Sequence, residues 1–360
     1  ILSASAVENL TNYGTVISTG DSSEYKDGKN PWAHAVAGGV VGYVNCESGG
    51  QATLKNLTNH GAVSAATEVE YDSIGHAPVG AGGVVGEAAV ANLSDLTNTG
   101  AVTLGAKANA DCFAGGVVGR LGGDNKDIEN SEATLDGGTC SSDVMPTSSG
   151  TTKTPYLGKL VGEVRGGQTA TIQNVSEDDA IGAVGMYGST QRTVNLVNVN
   201  LTELDVVASH TQEFTYTIQL ENSAIGTMKV DGAVHTGMTL EISKGTVEEV
   251  VFTNVTGNQK GDEPIPGTKL SVAASDGARI GTVDATDSTN KITLYGGLRV
   301  AADENSNIAT VRTSGPVTVG FEHSQSDEST ANTDKEKFPN TGTISAVATS
   351  GTYTLANIDG

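Results

Sequence analysis

Gly38-Gly39-Val40-Val41-Gly42 recurs as Gly-Gly-Val-Val-Gly at 82–86 and 115–119, and as a worn copy, Gly-Lys-Leu-Val-Gly, at 158–162. A second phrase alternates with it: Asn9-Leu10-Thr11-Asn12-Tyr13-Gly14, Asn56-Leu57-Thr58-Asn59-His60-Gly61 and Asp95-Leu96-Thr97-Asn98-Thr99-Gly100. Val16, Val63 and Val102 follow the three copies. Weaker copies centre on Asn130 and Asn174, with Ile128 and Ile172 standing where the better copies have Leu54 and Leu93. Strict alternation along residues 9–175 marks an internal repeat.

Each unit holds three short apolar pieces: the Gly-Gly-Val-Val-Gly segment, the one around Leu54 and the one around Val63. None is long enough for a helix, and a 3.6-residue period is missing. Short strands stacked turn upon turn predict an all-β parallel β-solenoid with three strands per coil, each coil adding about 4.8 Å. Val40, Val84, Val117 and Leu160 would stack in the core, as would Val44, Ala88, Leu121 and Val164. Tyr43, Glu87, Arg120 and Glu163 would point outward. Val41, Val85, Val118 and Val161 share that outward parity, and a flanking loop is expected to cover them.

Asn9, Asn56, Asp95, Asn130 and Asn174 take one place in successive units, and Asn12, Asn59 and Asn98 another. Asn tolerates left-handed turn geometry, and its amide can pair with copies above and below. The first column is therefore read as a structural ladder. The same residues spell glycosylation sequons at Asn9, Asn56 and Asn174, with others at Asn92, Asn200 and Asn254. The ladder accounts for the first three without any modification.

The phrase changes beyond about residue 185. Leu240-Glu241-Ile242, Leu270-Ser271-Val272, Leu298-Arg299-Val300 and Ile218-Gln219-Leu220 each precede an Ile/Val-x-x-Val/Met phrase: Val247 to Val250, Ile280 to Val283, Ile308 to Val311 and Ile225 to Met228. We read residues 1–185 as the first repeat region, with inserts on one side. Residues 186–360 continue the solenoid with a different coil sequence, a separate β-sandwich being the alternative.

Composition narrows the function classes. Lys and Arg number 20 against 42 Asp and Glu, a net charge of −22. Nucleic acid is an unsuitable partner for such a surface, and anionic lipid likewise. Charged residues are only 17% and Gly reaches 47, which suits short strands and tight turns rather than an acidic disordered chain. No apolar run is long enough to span a membrane. No signal peptide is present, and the abrupt start at Ile1, inside a repeat, reads as a boundary made by processing or by excision, which leaves room for a lost leader or anchor. Cys46, Cys112 and Cys140 are an odd set without metal spacing. Buried or loop thiols are the first reading; one bridge plus a free thiol is the second.

Residues 9–175 resemble the GLUG-motif repeats, whose Gly-Leu-aliphatic-Gly core here reads Gly39-Val40-Val41-Gly42, Gly83-Val84-Val85-Gly86, Gly116-Val117-Val118-Gly119 and Lys159-Leu160-Val161-Gly162. Val usually replaces the family's Leu, and Lys159 replaces the first Gly of the last copy. The resemblance implies a right-handed parallel β-helix from a bacterial surface or secreted protein, adhesin-like and of the kind found in Gram-negative gut commensals. Some immunoglobulin-cleaving metallopeptidases also carry such repeats, away from the catalytic domain. No catalytic residue and no cofactor transfers with it.

Right-handed β-helices also host polysaccharide hydrolases and lyases, so an enzyme is the alternative. Asp178-Asp179 is a carboxylate pair, but the Gly-His-Gly and Arg-Ile-Lys that hydrolases of this type would want further on are missing. Asn59-His60-Gly61 lies upstream, and Arg279-Ile280-Gly281 lacks the Lys. Asp124, Asp127 and Glu129 read as a solvated acidic turn, so no catalytic or metal residue is assigned. Long inserts precede each Gly-Gly-Val-Val-Gly segment, at about 17–37, 64–81, 103–114 and 136–157. They carry Tyr25, Trp32, Tyr71, Phe113 and Tyr156, the candidate ligand-binding residues. These rings either stack an extended glycan or protein partner, or lie back over the outward Val row. The stretch 321–341, with its Asp334-Lys335-Glu336-Lys337 run, reads as a solvated excursion. The function expected is a secreted or cell-surface adhesin-like module, or a stalk.

Overall fold

The structure is a computed structural model that describes residues 6–20, 35–45, 50–67, 79–105, 112–123, 132–146, 155–165, 169–187, 192–209, 214–231, 237–253, 259–260, 263–264, 269–286, 297–326 and 333–356. Regular structure among them is all β-strand. Two compact units divide the chain, Ile1–Val184 and Gly185–Gly360.

In the first unit, strands from successive repeats pair in parallel and in register, forming four stacks. The first stack runs Ala6–Glu8 with Thr11–Asn12, Ala52–Asn59, Ala91–Asn98, Glu132–Asp136 with Thr139–Cys140, and Thr169–Val175. The second is Val16–Gly20, Val63–Thr67, Val102–Gly105 and Val144–Pro146. The third is Ala35–Gly38, Val79–Gly82, Cys112–Gly115 and Tyr156–Gly158. The fourth is Val41–Val44, Val85–Ala88, Val118–Leu121 and Val161–Arg165. The expected three strands per repeat are therefore four. The third stack was hidden because its short Ala/Gly segments, such as Val79-Gly80-Ala81-Gly82, carry little apolar bulk.

The core follows the register. Leu54, Leu57, Leu93, Leu96 and Leu135 are buried along the first stack. Ala and Val of the second and third stacks form one cluster with Leu104 and Cys112. Both valines of each Gly-Gly-Val-Val-Gly are buried in the second and third copies: Val84 and Val85, Val117 and Val118. The third stack lies close against the fourth: a Cβ on Gly86 would fall 2.7 Å from Val36 Cγ1 and 2.8 Å from the Ala37 carbonyl oxygen. An ordered strand layer thus lies against the fourth stack.

The second unit has two parallel stacks. One includes Phe214–Glu221, Gly237–Ser243, Lys269–Ser275, Leu298–Ala302, Val317–Val319 and Tyr353–Leu355. The other includes Ala224–Asp231, Thr246–Thr253, Arg279–Ala285, Asn307–Thr313 and Thr343–Thr349. Arg192–Ser209 spans both, turning at Asn198, whose φ is 54°. Ile225, Val247, Ile280 and Ile308 stack as the repeat phrase expects. Leu240 instead pairs with Val272, while Met238 pairs with Leu270. That shift is two residues, so it keeps the same face inward and leaves the apolar alternation unchanged.

The stretch 321–341 is not simply a solvated excursion. Phe321–Ser326 and Thr333–Phe338 pair as an antiparallel hairpin. Its Phe321 and Phe338 rings stack 4.8 Å apart and pack over Ala273 and Ala301. Small Ala side chains on the sheet leave room for the two rings.

Candidate interaction surfaces

The corners of the first unit are set by left-handed residues. Asn9, Asn56, Asp95 and Asn174 have φ of 58°, 52°, 55° and 60°. The fourth copy of this corner is Gly137, at φ 64°, because Leu135 pairs with both Leu93 and Ile172. The alignment on Asn130, which lies outside the described residues, is corrected accordingly. Gly supplies positive φ as readily as Asn does, so the amide count misplaced this unit. Asn56 Nδ2 donates to Asn9 Oδ1 at 2.7 Å, but this column is exposed.

The buried ladder is the other column. Asn12 Nδ2 donates to Asn59 Oδ1 at 2.8 Å, and Asn59 Nδ2 to Asn98 Oδ1 at 2.8 Å. Asn59 and Asn98 are fully buried. Each amide also clamps the backbone two residues on: Asn59 Nδ2 donates to the Gly61 carbonyl at 2.7 Å, and Gly61 N–H to Asn59 Oδ1 at 3.3 Å. That clamp fixes which amide atom faces which neighbour.

Of the aromatic residues expected to bind a ligand, Tyr25, Trp32 and Tyr71 lie outside the described residues. Phe113 is buried, which removes it from an exposed binding face. Its ring lies over Gly80 of the neighbouring repeat, where a side chain would collide, and the Arg120 guanidinium sits 3.9 Å from the ring centroid. Tyr156 is half-buried and in register with Phe113.

Arg120 and Glu163 also depart from the outward placement expected of them. Tyr43, Glu87, Arg120 and Glu163 form one row across the fourth stack. Arg120 and Glu163 are buried, whereas Tyr43 remains 44% exposed. Arg120 Nε donates to Glu163 Oε2 at 2.7 Å, and Arg165 Nη2 lies 3.1 Å from Glu163 Oε1. Glu87 Oε2 is 3.8 Å from Arg120 Nη1. Alternating charges along a buried row compensate one another, which strand parity alone does not reveal. The sequence signal was there: opposite charges at one position of successive repeats.

Cys112 and Cys140 are both buried; Cys46 lies outside the described residues. Among the described residues there is no group of His, Cys, Asp or Glu that could hold a metal, and no helix long and apolar enough to cross a membrane. Asp124, Asp127 and Glu129 lie outside them. Comparison with known protein families, with curated proteins and with solved structures finds no match to this chain.

Proposed function

We propose that the chain is a secreted or cell-surface β-solenoid, a right-handed parallel β-helix, that binds an extended glycan or protein partner along one side or serves as a stalk. The observation that carries this reading is the common position of the inserts. Segments 21–34, 68–78, 106–111 and 147–154 all join the second stack to the third. Because the strands flanking them are in register, the four inserts leave neighbouring points of one side. Inserts at one repeat position often form a binding face. Right-handed crossover is the rule for parallel strands, which supports the handedness. The GLUG resemblance supports a bacterial surface setting and an adhesin-like role.

The charge of −22 favours a neutral or cationic partner over an acidic polysaccharide. The test is a glycan and matrix-protein binding screen of the parent beside folded Trp32→Ala and Tyr71→Ala variants. Binding by the parent that weakens in either variant supports the aromatic insert side. Equal binding by all three sinks that side, and turnover of any polysaccharide by the parent favours an enzyme instead.

A further inference from the structure

The first repeat is exposed at positions that later repeats bury. Leu10 is 48% exposed, while its equivalents Leu57 and Leu96 are 0% and 1%. Val7, Val16 and Val40 are half-buried, while Leu54, Val63 and Val84 are fully buried. A Cβ on Gly42 would meet nothing within 4 Å, whereas one on Gly86 collides with the Gly42 backbone. The register explains the difference. Thr58 N–H donates to the Leu10 carbonyl and His60 N–H to the Asn12 carbonyl, so the equivalent Thr11 and Tyr13 amides face away from the second repeat. Among the described residues no strand pairs on that side of Thr11–Asn12 or Val16–Gly20.

The asparagine ladder is polar along its length and differs at its two ends. At the far end Asn98 Nδ2 donates to Ser142 Oγ at 3.3 Å, and Ser142 Oγ donates to the Gly100 carbonyl at 2.6 Å. Ser142 and Cys140 thus close the ladder. At the near end Asn12 Oδ1 accepts the Gly14 N–H at 3.0 Å, as Asn59 Oδ1 accepts that of Gly61. Asn59 Oδ1 accepts an amide from the preceding repeat as well. An amide oxygen has two lone pairs, so Asn12 Oδ1 has one in the direction of a preceding asparagine.

We infer that this edge is a docking surface for one further β-repeat of the same chemistry, laid parallel and in register. Its occupant carries Asn at the ladder position, Leu at the Leu57 position and Gly at the Gly61 position. The occupant's amide donates to Asn12 Oδ1, its backbone accepts from Thr11 and Tyr13, and its Leu covers Leu10. The interface continues the one already formed between the first and second repeats, so the residues it needs are those the chain itself repeats.

The test extends the full chain with a duplicate of residues 51–90 placed directly before Ser5, and a second extended chain carries Ala at the Asn59-equivalent of the duplicate. Hydrogen exchange is then read over residues 6–20, beside the parent. Slowing of those amides by about tenfold or more in the first chain, with the protection of Asn12 to Gly14 lost in the second, is the expected result. Exchange at the parent's rate overturns the inference, as does an extended chain that fails to fold. The parent is also sedimented over a range of concentrations. Self-association abolished by Leu10→Lys would make a second copy the occupant and overturn the proposal in that form.

Discussion

Lys159 Nζ lies 2.7 Å from Glu177 Oε2, and the two residues stand where the preceding repeats pair a glycine with Asn or Cys. Gly39 faces Asn59, Gly83 faces Asn98 and Gly116 faces Cys140, so close that a Cβ on any of these glycines would collide. Counting on from the Asp136 and Gln173 pair, Glu177 takes the ladder position after Cys140, and Lys159 takes the glycine position beside it. Once the ladder has ended, the glycine is no longer required and an ion pair replaces the contact. The Lys159 pKa is raised by its hydrogen bond to Glu177 and then by that charge. Lys159→Ala should leave the denaturation midpoint nearly unchanged, because both partners are about half exposed. Gly83→Ala, at the equivalent position, should lower stability by more than about 2 kcal/mol. Urea titration of the two variants checks the contrast.

Asn59→Ala should cost about 3 kcal/mol or more. It removes one bond each from the Asn12 and Asn98 amides, which keep their own backbone clamps, and leaves the buried N–H and carbonyl of Gly61 without the Asn59 amide, each such unmet buried group costing about 1–3 kcal/mol. Asn56→Gly should stay within about 0.5 kcal/mol, since the site is exposed and Gly accepts its φ of 52°. Equal losses in chemical denaturation would mean that burial does not distinguish the two asparagine columns.

Gly86→Val should disrupt the first unit, because the side chain would be driven into Val36 and the Ala37 backbone. Gly42→Val, at the equivalent place one repeat earlier, should be tolerated, with nothing within 4 Å of the added Cβ. Circular dichroism melts of the pair read this directly. A strict glycine requirement at all copies, which the recurring phrase alone implies, would make both fail.

Arg120→Met should destabilise by about 3–5 kcal/mol, the cost of leaving a buried charge short of its partner. Glu163 would keep Arg165 at 3.1 Å but lose the 2.7 Å bond from Arg120 Nε, and Phe113 would lose the guanidinium over its ring. A midpoint shift of less than about 1 kcal/mol would place this row in water.

Asp303 gives a pH-dependent signature. Burial acts to raise its pKa, but hydrogen bonds from the Ser306 side chain and from the Asp276, Asn305 and Ser306 backbone outweigh it, and the net shift is downward from 3.8. The Asp276 N–H donates to Asp303 Oδ2 at 2.7 Å. A lowered folded pKa means stability present above the unfolded value and lost as pH falls through the folded one. The parent should lose this contribution below about pH 4, and Asp303→Asn should lack that part of the acid limb. Parallel acid limbs in melts from neutral to acid pH would refute the assignment.

Local chemistry was legible wherever it repeated. The stacking of Val84 with Val117, the Ile280 and Ile308 positions and the left-handed corners at Asn9, Asn56, Asp95 and Asn174 all follow from residues recurring at fixed offsets. What the offsets do not carry is depth. Asn56 and Asn59 are three residues apart in the same phrase, yet one is exposed and the other fully buried. The chain's own repetition thus determined the parallel stacking of its strands and, where the copies are well kept, their register, because like segments present like backbone and apolar partners to one another; at Leu240 and in the unit of Gly137, where the copies differ, the register departs from the phrase. Only the tertiary structure decided which rows are inside, because the cover comes from segments with no signal of their own. The Ala/Gly third stack packs against the fourth, the Phe113 ring lies over Gly80 and beside Arg120, and the charges of Glu87 and Glu163 are met by Arg120 and Arg165, so that residues the sequence shows only as charged are held largely out of water.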